Sequence, residues 1–234
     1  MTSHESMLPP QLPHRPAHSP LRVPVAISPT HVHLTAATIE ELFCDRYHLH
    51  EHARLGQPAL YEAGETVTLI GPRGHLDHVC VIGPPRAENQ VEISSTDAQL
   101  LGICAPVRRS GNTVGTPGIV IKGPRTSARV NCGVIRALRH VHMSPADAEY
   151  VGVEDGDLID VVIPDHCPLI RFRGVLIRVS PEFRLECHLD EDEAKALVLK
   201  SGDQVELRPH TRRGSHHLKR ALHKGQLSPR GART

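Results

Sequence analysis

Arg139–Glu149 reads RHVHMSPADAE, two histidines at i and i+2 directly ahead of a helix-start pattern. Residues two apart on an extended strand share a face, so His140 and His142 present their imidazoles side by side. Ser144 then suits an N-cap and Pro145 the first helical position. Asp147 is spaced to return the hydrogen bond of a capping box. The stretch is a strand that carries two potential metal ligands, stops sharply and becomes a helix.

The same grammar recurs along the chain. His31-Val32-His33-Leu34-Thr35 matches His140-Val141-His142-Met143-Ser144 at an offset of 109 residues, from 31 to 140. Glu92 stands two residues before Ser94, with Asp97 in the return position; His188 stands two before Asp190, with Glu193 in that position. In all four copies a side chain able to bind metal precedes an N-cap residue by two. Later segments pair a Gly with an acid and then an apolar run: GETVTLIGP from Gly64, EDGDLIDVVIP from Glu154 and SGDQVEL from Ser201, with TPGIVIKGP as a relative. These read as tight turns entering strands. The pattern predicts a mainly β fold with short helices (α+β), built as two pseudo-symmetric small β-barrel domains over residues 21–128 and 129–208. Closure into barrels removes exposed sheet edges. Residues 1–20, with five prolines and three histidines, read as a disordered arm, and residues 209–234 as a basic disordered tail.

Composition narrows the class. With Phe 3, Tyr 3 and Trp 0, the core has to be built from Val, Ile and Leu, while Gly 18 and Pro 20 punctuate short apolar runs. No run approaches the ~18 apolar residues a membrane span needs, and the first twenty residues lack the apolar stretch of a secretory signal. Six cysteines lie scattered with no CxxC pair, which fits reduced thiols in a cytoplasmic protein. Seven of the 27 Lys and Arg fall in residues 209–234 and all 26 Asp and Glu lie before them, so the body carries a formal charge of −6. An acidic body disfavours nucleic acid as a partner, since phosphate contacts need a basic face.

The two halves differ in one place. His33 to Gly64 spans 31 residues and His142 to Gly156 spans 14, so the first half carries 17 extra residues around CDRYHLHEHARLGQPALYE. An insertion beside a site is a candidate lid or substrate loop. Its His48, His50 and His52 read as solvated loop residues.

His31, His33, Glu92, His140, His142 and His188 form a set of imidazole and carboxylate ligands. One Zn²⁺ takes three or four such groups, so six suggest two metal ions with Glu92 as a possible bridge. Imidazole and carboxylate suit zinc first, then Co²⁺, Fe²⁺ or Ni²⁺. Glu186 shares a strand face with His188 and suits an acceptor for its ring N–H; Cys187, on the opposite face, reads as structural. Arg86 precedes Glu92 by six residues. By spacing alone it is equally a surface residue after a Pro-rich turn or a contact for a phosphate or carboxylate at the metals.

VPVAISPTHVHLT, GETVTLIGPRG, NQVEISSTDAQLLGICAPVRRSGN, GTPGIVIKGP, RHVHMSPADAEYVGVEDGD and LECHLDEDEA, in order between Val23 and Leu207, together resemble the PduL-type phosphate propanoyltransferases. The resemblance implies tandem β-barrels, two zinc ions on the six residues above and a phosphate contact at Arg86. It also implies coenzyme A contacts at the positions of Ser28, Arg73 and Lys195. Three positions depart from the family pattern: Ser95 stands in place of an Arg, Cys80 in place of a basic residue, and Lys195 in place of an Asn. The implied activity interconverts a short-chain acyl-CoA (propanoyl-CoA or acetyl-CoA) plus phosphate with acyl phosphate plus CoA. Implied surroundings are the shell and core proteins of a bacterial microcompartment, with homo-oligomers possible. No Ser or Cys nucleophile with an obvious partner emerges, which favours direct transfer over a covalent acyl-enzyme. Two other readings stand beside this one. The first is a dinuclear zinc hydrolase of acyl phosphate or thioester. The second is a non-catalytic zinc-stabilised microcompartment protein, whose closed tetrahedral sites would want about eight ligands.

Overall fold

The computed structural model describes residues 21–58, 60–164 and 169–209. The Pro/His-rich arm, Cys167 and the basic tail beyond Pro209 lie outside the described residues.

Strands dominate. In chain order the first half runs β1 (Leu21–Ser28), β2 (His31–His33), α1 (Ala36–Leu42), β3 (Glu51–Arg54), β4 (Tyr61–Ile70), β5 (His75–Gly83), β6 (Gln90–Glu92), α2 (Ser95–Leu101), β7 (Val107–Arg108), β8 (Ile119–Lys122) and β9 (Ser127–Val130). The second runs β10 (Val134–Ala137), β11 (His140–Met143), α3 (Pro145–Val151), β12 (Leu158–Ile163), β13 (Ile170–Val179), β14 (Glu186–Asp190), α4 (Glu191–Ala196) and β15 (Gln204–Pro209). Six strands close a barrel in the order β1-β14-β11-β13-β12-β15, and the others form a nine-stranded sheet ordered β7-β10-β6-β2-β5-β4-β8-β9, with β3 beside β4. Each unit surrounds its own aliphatic core, one centred on Leu34, Leu69 and Ile121, the other on Met143, Ile159 and Ile177. No helix among the described residues is long and apolar enough to cross a membrane.

The halves exchange their first strands. β1 opens the first half in sequence, yet it pairs parallel with β14 (Ala26↔His188) and antiparallel with β15 (Val23↔Val205), completing the second barrel. β10 opens the second half, yet pairs parallel with β6 (Ile135↔Glu92) and with β7 (Arg136↔Val107) in the first sheet. Residues 21–28, assigned by repeat to the first barrel, are thus built into the second, and residues 134–137 into the first. Pro29 and Thr30 link β1 to β2, and Leu138 and Arg139 link β10 to β11. Such links let the chain pass from one unit straight into the ligand strand of the other.

All four expected N-caps form. The side chains of Thr35, Ser94, Ser144 and Asp190 accept from the backbone N–H of Thr38, Asp97, Asp147 and Glu193. Ser144–Asp147 and Asp190–Glu193 close full capping boxes, with Pro145 at the first helical position. Asp97 does not close a box: Thr30 donates to its carboxylate and accepts from Ser94 N–H at 3.3 Å, relaying the return bond through a hydroxyl. Gly64 is not a turn residue either. It lies inside β4, because the extra residues of the first half supply β3, which extends the pairing back to Tyr61.

Candidate active site

β11 lies between β13 and β14, and β2 between β5 and β6, so each HxH pair sits on a central strand. The registers across the neighbouring antiparallel strands correspond. In the barrel His140 faces His188 and His142 faces Glu186; in the sheet His31 faces Glu92 and His33 faces Gln90. Partners in register share a face, so each HxH pair acquires a third ligand from the next strand. The result is two triads, His31–His33–Glu92 and His140–His142–His188, each with its ligand atoms within 4.8 Å of one another. All six expected ligands come together, three to each site.

Local hydrogen bonds aim the rings. His31 Nδ1–H donates to the Pro29 carbonyl at 2.7 Å and His140 Nδ1–H to the Leu138 carbonyl at 2.8 Å. Both leave Nε2 as the lone-pair atom. His31 Nε2 stands 3.8 Å from Glu92 Oε2. An ion holding ligands at about 2.0–2.2 Å spaces them about 3.4 Å apart, close to this gap. His33 Nδ1, both ring nitrogens of His142 and His188 Nε2 are buried without a hydrogen-bond partner. Orphaned buried nitrogens are costly unless something binds them. Burial lowers the His33 pKa to about 2, aided by His31 and Arg86, and drives His140 and His142 well below the ordinary imidazole range, aided by neighbouring imidazoles and Arg178. The neutral rings are the form that binds metal. The residues present therefore fit two ions with imidazole–carboxylate ligation.

The surroundings differ between the triads. Glu92 Oε1 accepts from Gln90 Nε2 at 2.6 Å and from Ser110 Oγ at 2.8 Å, which fixes the carboxylate in the first triad. In the second, Glu186 Oε2 lies 3.6 Å from His188 Nε2 and accepts from Gln57 Nε2 at 2.7 Å. His188 and Gln57 hold the Glu186 carboxyl below the usual range. Phe183 stacks on His142 with centroids 3.9 Å apart.

Both triads open into one cavity of about 410 Å³, lined also by Ser28, Cys80, Arg86 and Arg178. The inserted segment forms part of its wall through Leu55, Gly56, Gln57 and Leu60. Gln57 crosses to the barrel: its carbonyl accepts from Arg184 N–H at 3.1 Å while its amide donates to Arg184 O and Glu186. Gly56 lies against Glu186: a Cβ there would stand 2.1 Å from Oε1, so the carboxylate would have to shift. His50 pairs with Glu65 at 2.6 Å, away from the triads. The match to the family model runs through every one of these cavity residues, from residue 24 to residue 200, and the family is phosphate propanoyltransferase.

The chain belongs to the phosphate propanoyltransferase family. It is 50% identical over 181 residues to the phosphate propanoyltransferase of Thermotoga maritima, covering 77% of this chain and 86% of that one. It is 48% identical over 174 residues to that of Salmonella typhimurium (74% and 82%) and 43% over 180 residues to that of Listeria monocytogenes (77% and 84%). The chain is accordingly an acyltransferase of the phosphate propanoyltransferase family. Arg73 and Lys195 do not line the cavity: the Arg73 stem packs on Gly102 at the end of α2, and exposed Lys195 pairs with Glu191 at 2.9 Å on helix α4. At Ser95, where the resemblance implies an Arg, Arg136 from β10 donates to Ser95 Oγ at 2.8 Å, bringing a guanidinium to that helix start. Gln57, Ser110, Phe183 and Arg178 are among the cavity residues that sequence reading missed. Arg178 stands in an ordinary strand run, VLIRVS, and only its register opposite His142 marks it.

Proposed function

We propose that this chain is a phosphotransacylase that interconverts a short-chain acyl-CoA plus phosphate with acyl phosphate plus CoA at a two-zinc site. One observation carries the reading: two buried ligand triads and an arginine face a single cavity large enough for a thioester head and a phosphate. His31, His33 and Glu92 would hold one ion and His140, His142 and His188 the other. Bound there, zinc supplies Lewis acidity toward a carbonyl or phosphoryl oxygen.

The protein's own groups do the rest. Arg86, half-buried and drawn toward Glu92 through space, offers a two-pronged contact to phosphate oxygens. A phosphate oxygen so held attacks the thioester carbonyl carbon; the C–S bond breaks and CoA leaves as its thiolate. Ser28, at the end of β1, lines the cavity wall and would meet the incoming thioester. The inserted segment, pinned by Gln57, excludes water, which would otherwise divert the acyl phosphate to hydrolysis. Direct transfer suits the cavity because Cys80, its one lining thiol among the described residues, is held protonated by burial and by Glu62 at 3.4 Å. The same reading takes coenzyme A and phosphate as partners, Arg73 and Lys195 as outer CoA contacts, and the cytoplasm, within a microcompartment, as the location.

The test is release of CoA thiol from propanoyl-CoA with and without added phosphate, before and after chelation. Phosphate-dependent release that is lost with the metals and returns on zinc addition is expected. Release that ignores phosphate would make the enzyme a hydrolase, and release that survives complete metal removal would exclude the zinc role.

A further inference from the structure

Each triad has a guanidinium beside it. Arg86, from the loop after β5, acts on His33 through space, and Arg178, on β13, acts on His140 and His142. Arg178 is the parallel-strand register partner of His142, so its side chain leaves the sheet on the ligand face, and it lines the same cavity. The repeat does not require an arginine there. In the first sheet His31 pairs with Cys80 and Val32 with Val81, so the next step along β5 is the apolar Ile82.

The charge of Arg178 is kept rather than cancelled. Among the described residues no carboxylate forms an ion pair with it, and its Nε is buried without a hydrogen-bond partner. Glu92 and Asp155 attract it only through space, while Arg86 and Arg109 repel it. What holds it is Phe183, whose ring lies 5.5 Å from the guanidinium carbon while stacking on His142. A cation–π contact positions a guanidinium without occupying its N–H groups. Two unneutralised arginines facing one cavity repel each other, an arrangement that an anion between them relieves.

We propose that Arg178 is a second anion-binding residue: it holds the phosphate oxygens from the second-triad side while Arg86 holds them from the first. The bound group is phosphate itself rather than the diphosphate of CoA, because Arg178 sits beside buried His142, not at the rim. This inference rests on the phosphotransacylase reading.

The experiment measures KM for phosphate and for propanoyl-CoA separately in the zinc-loaded wild type, Arg178→Gln and Arg178→Lys. Loss of a charge-assisted two-pronged contact should raise the phosphate KM about 10- to 100-fold in Arg178→Gln, with the propanoyl-CoA KM within about twofold of wild type. Arg178→Lys should recover part of the loss, since charge returns without the fork. Thermal stabilisation by inorganic phosphate alone should shrink in parallel. A rise confined to the propanoyl-CoA KM would assign the residue to CoA, and unchanged KM values with a lower Tm would make it structural; either overturns the proposal. If Arg178→Gln does not fold, Arg178→Lys decides: an unchanged phosphate KM there refutes the role. Wild-type enzyme without phosphate-dependent CoA release would instead refute the phosphotransacylase reading, so the two failures are distinguishable.

Discussion

At the scale of single residues, the two triads reach a similar charge by different routes. Glu92 supplies a carboxylate directly beside His31; its counterpart by register, His188, supplies an imidazole, and Glu186 supplies the carboxylate two residues away on the same strand. Glu186→Gln is therefore expected to weaken metal binding at the second triad about 10- to 100-fold in chelator competition while leaving the first triad's affinity unchanged. Equal weakening at both sites, or at neither, would refute this division of roles. The buried imidazoles also set an acid limit. His33 is held near a pKa of about 2, and His140 and His142 also lie below the ordinary value. Between the folded and unfolded pKa values the unfolded chain binds protons that the native state refuses, so stability falls as pH drops below about 6.5. Each such histidine contributes up to about 1.4 kcal/mol per pH unit in that window. The metal-free protein should show a Tm that declines from pH 7 to pH 5; a flat profile would refute the burial of neutral rings.

At the scale of elements, the cap is what ends each ligand strand. Four helices of six or seven residues are too short to persist alone, so caps and packing set where they start. That chemistry is local, which is why His33–Thr35, Glu92–Ser94, His142–Ser144 and His188–Asp190 were legible in the sequence together with the six ligands. The relay through Thr30 was not, because it joins residues 64 positions apart. Nor was Arg178, whose role depends on lying beside His142 rather than on any spacing in the chain. Ser144→Ala removes the hydroxyl side of a reciprocal box: Asp147 N–H loses its acceptor and the Asp147 carboxylate keeps only the backbone N–H of residue 144. The expected cost is about 1–2 kcal/mol, read as a Tm lower by a few degrees. It should be accompanied by weaker metal at the second triad, because the end of β11 loosens. Ser144→Thr should recover most of both. A stability loss with undisturbed metal affinity would separate the cap from the ligand strand.

At the scale of the whole molecule, the exchange of β1 and β10 decides whether the site survives. Both triads face one cavity, so a small rotation between the units would spoil the constellation. Side-chain bonds across the boundary are few and partly exposed: Thr96 N–H to Asp192 at 2.8 Å, Arg109 to Asp155 at 3.3 Å, and the Gln57 contacts. Exposed ion pairs are worth about 0–1 kcal/mol each, too little to lock two domains. The exchanged strands are of another order, since each buries its side chains in the other unit's core: Val25 is 2% exposed in the barrel and Val134 fully buried in the sheet. Pairing of strands distant in sequence is not marked by local periodicity, so the repeat suggested two halves divided near residue 128 and the exchange stayed hidden. It predicts one cooperative unit. The full chain should melt in a single transition, and Val25→Ala and Val134→Ala should each lower that same Tm, by about 1–3 kcal/mol of stability. Residues 138–209 expressed alone lack one of the six barrel strands and should stay unfolded until a peptide of residues 21–28 is added. Two resolved transitions, with each substitution moving only one of them, would show that the units fold independently and that the exchange does not hold the triads in register.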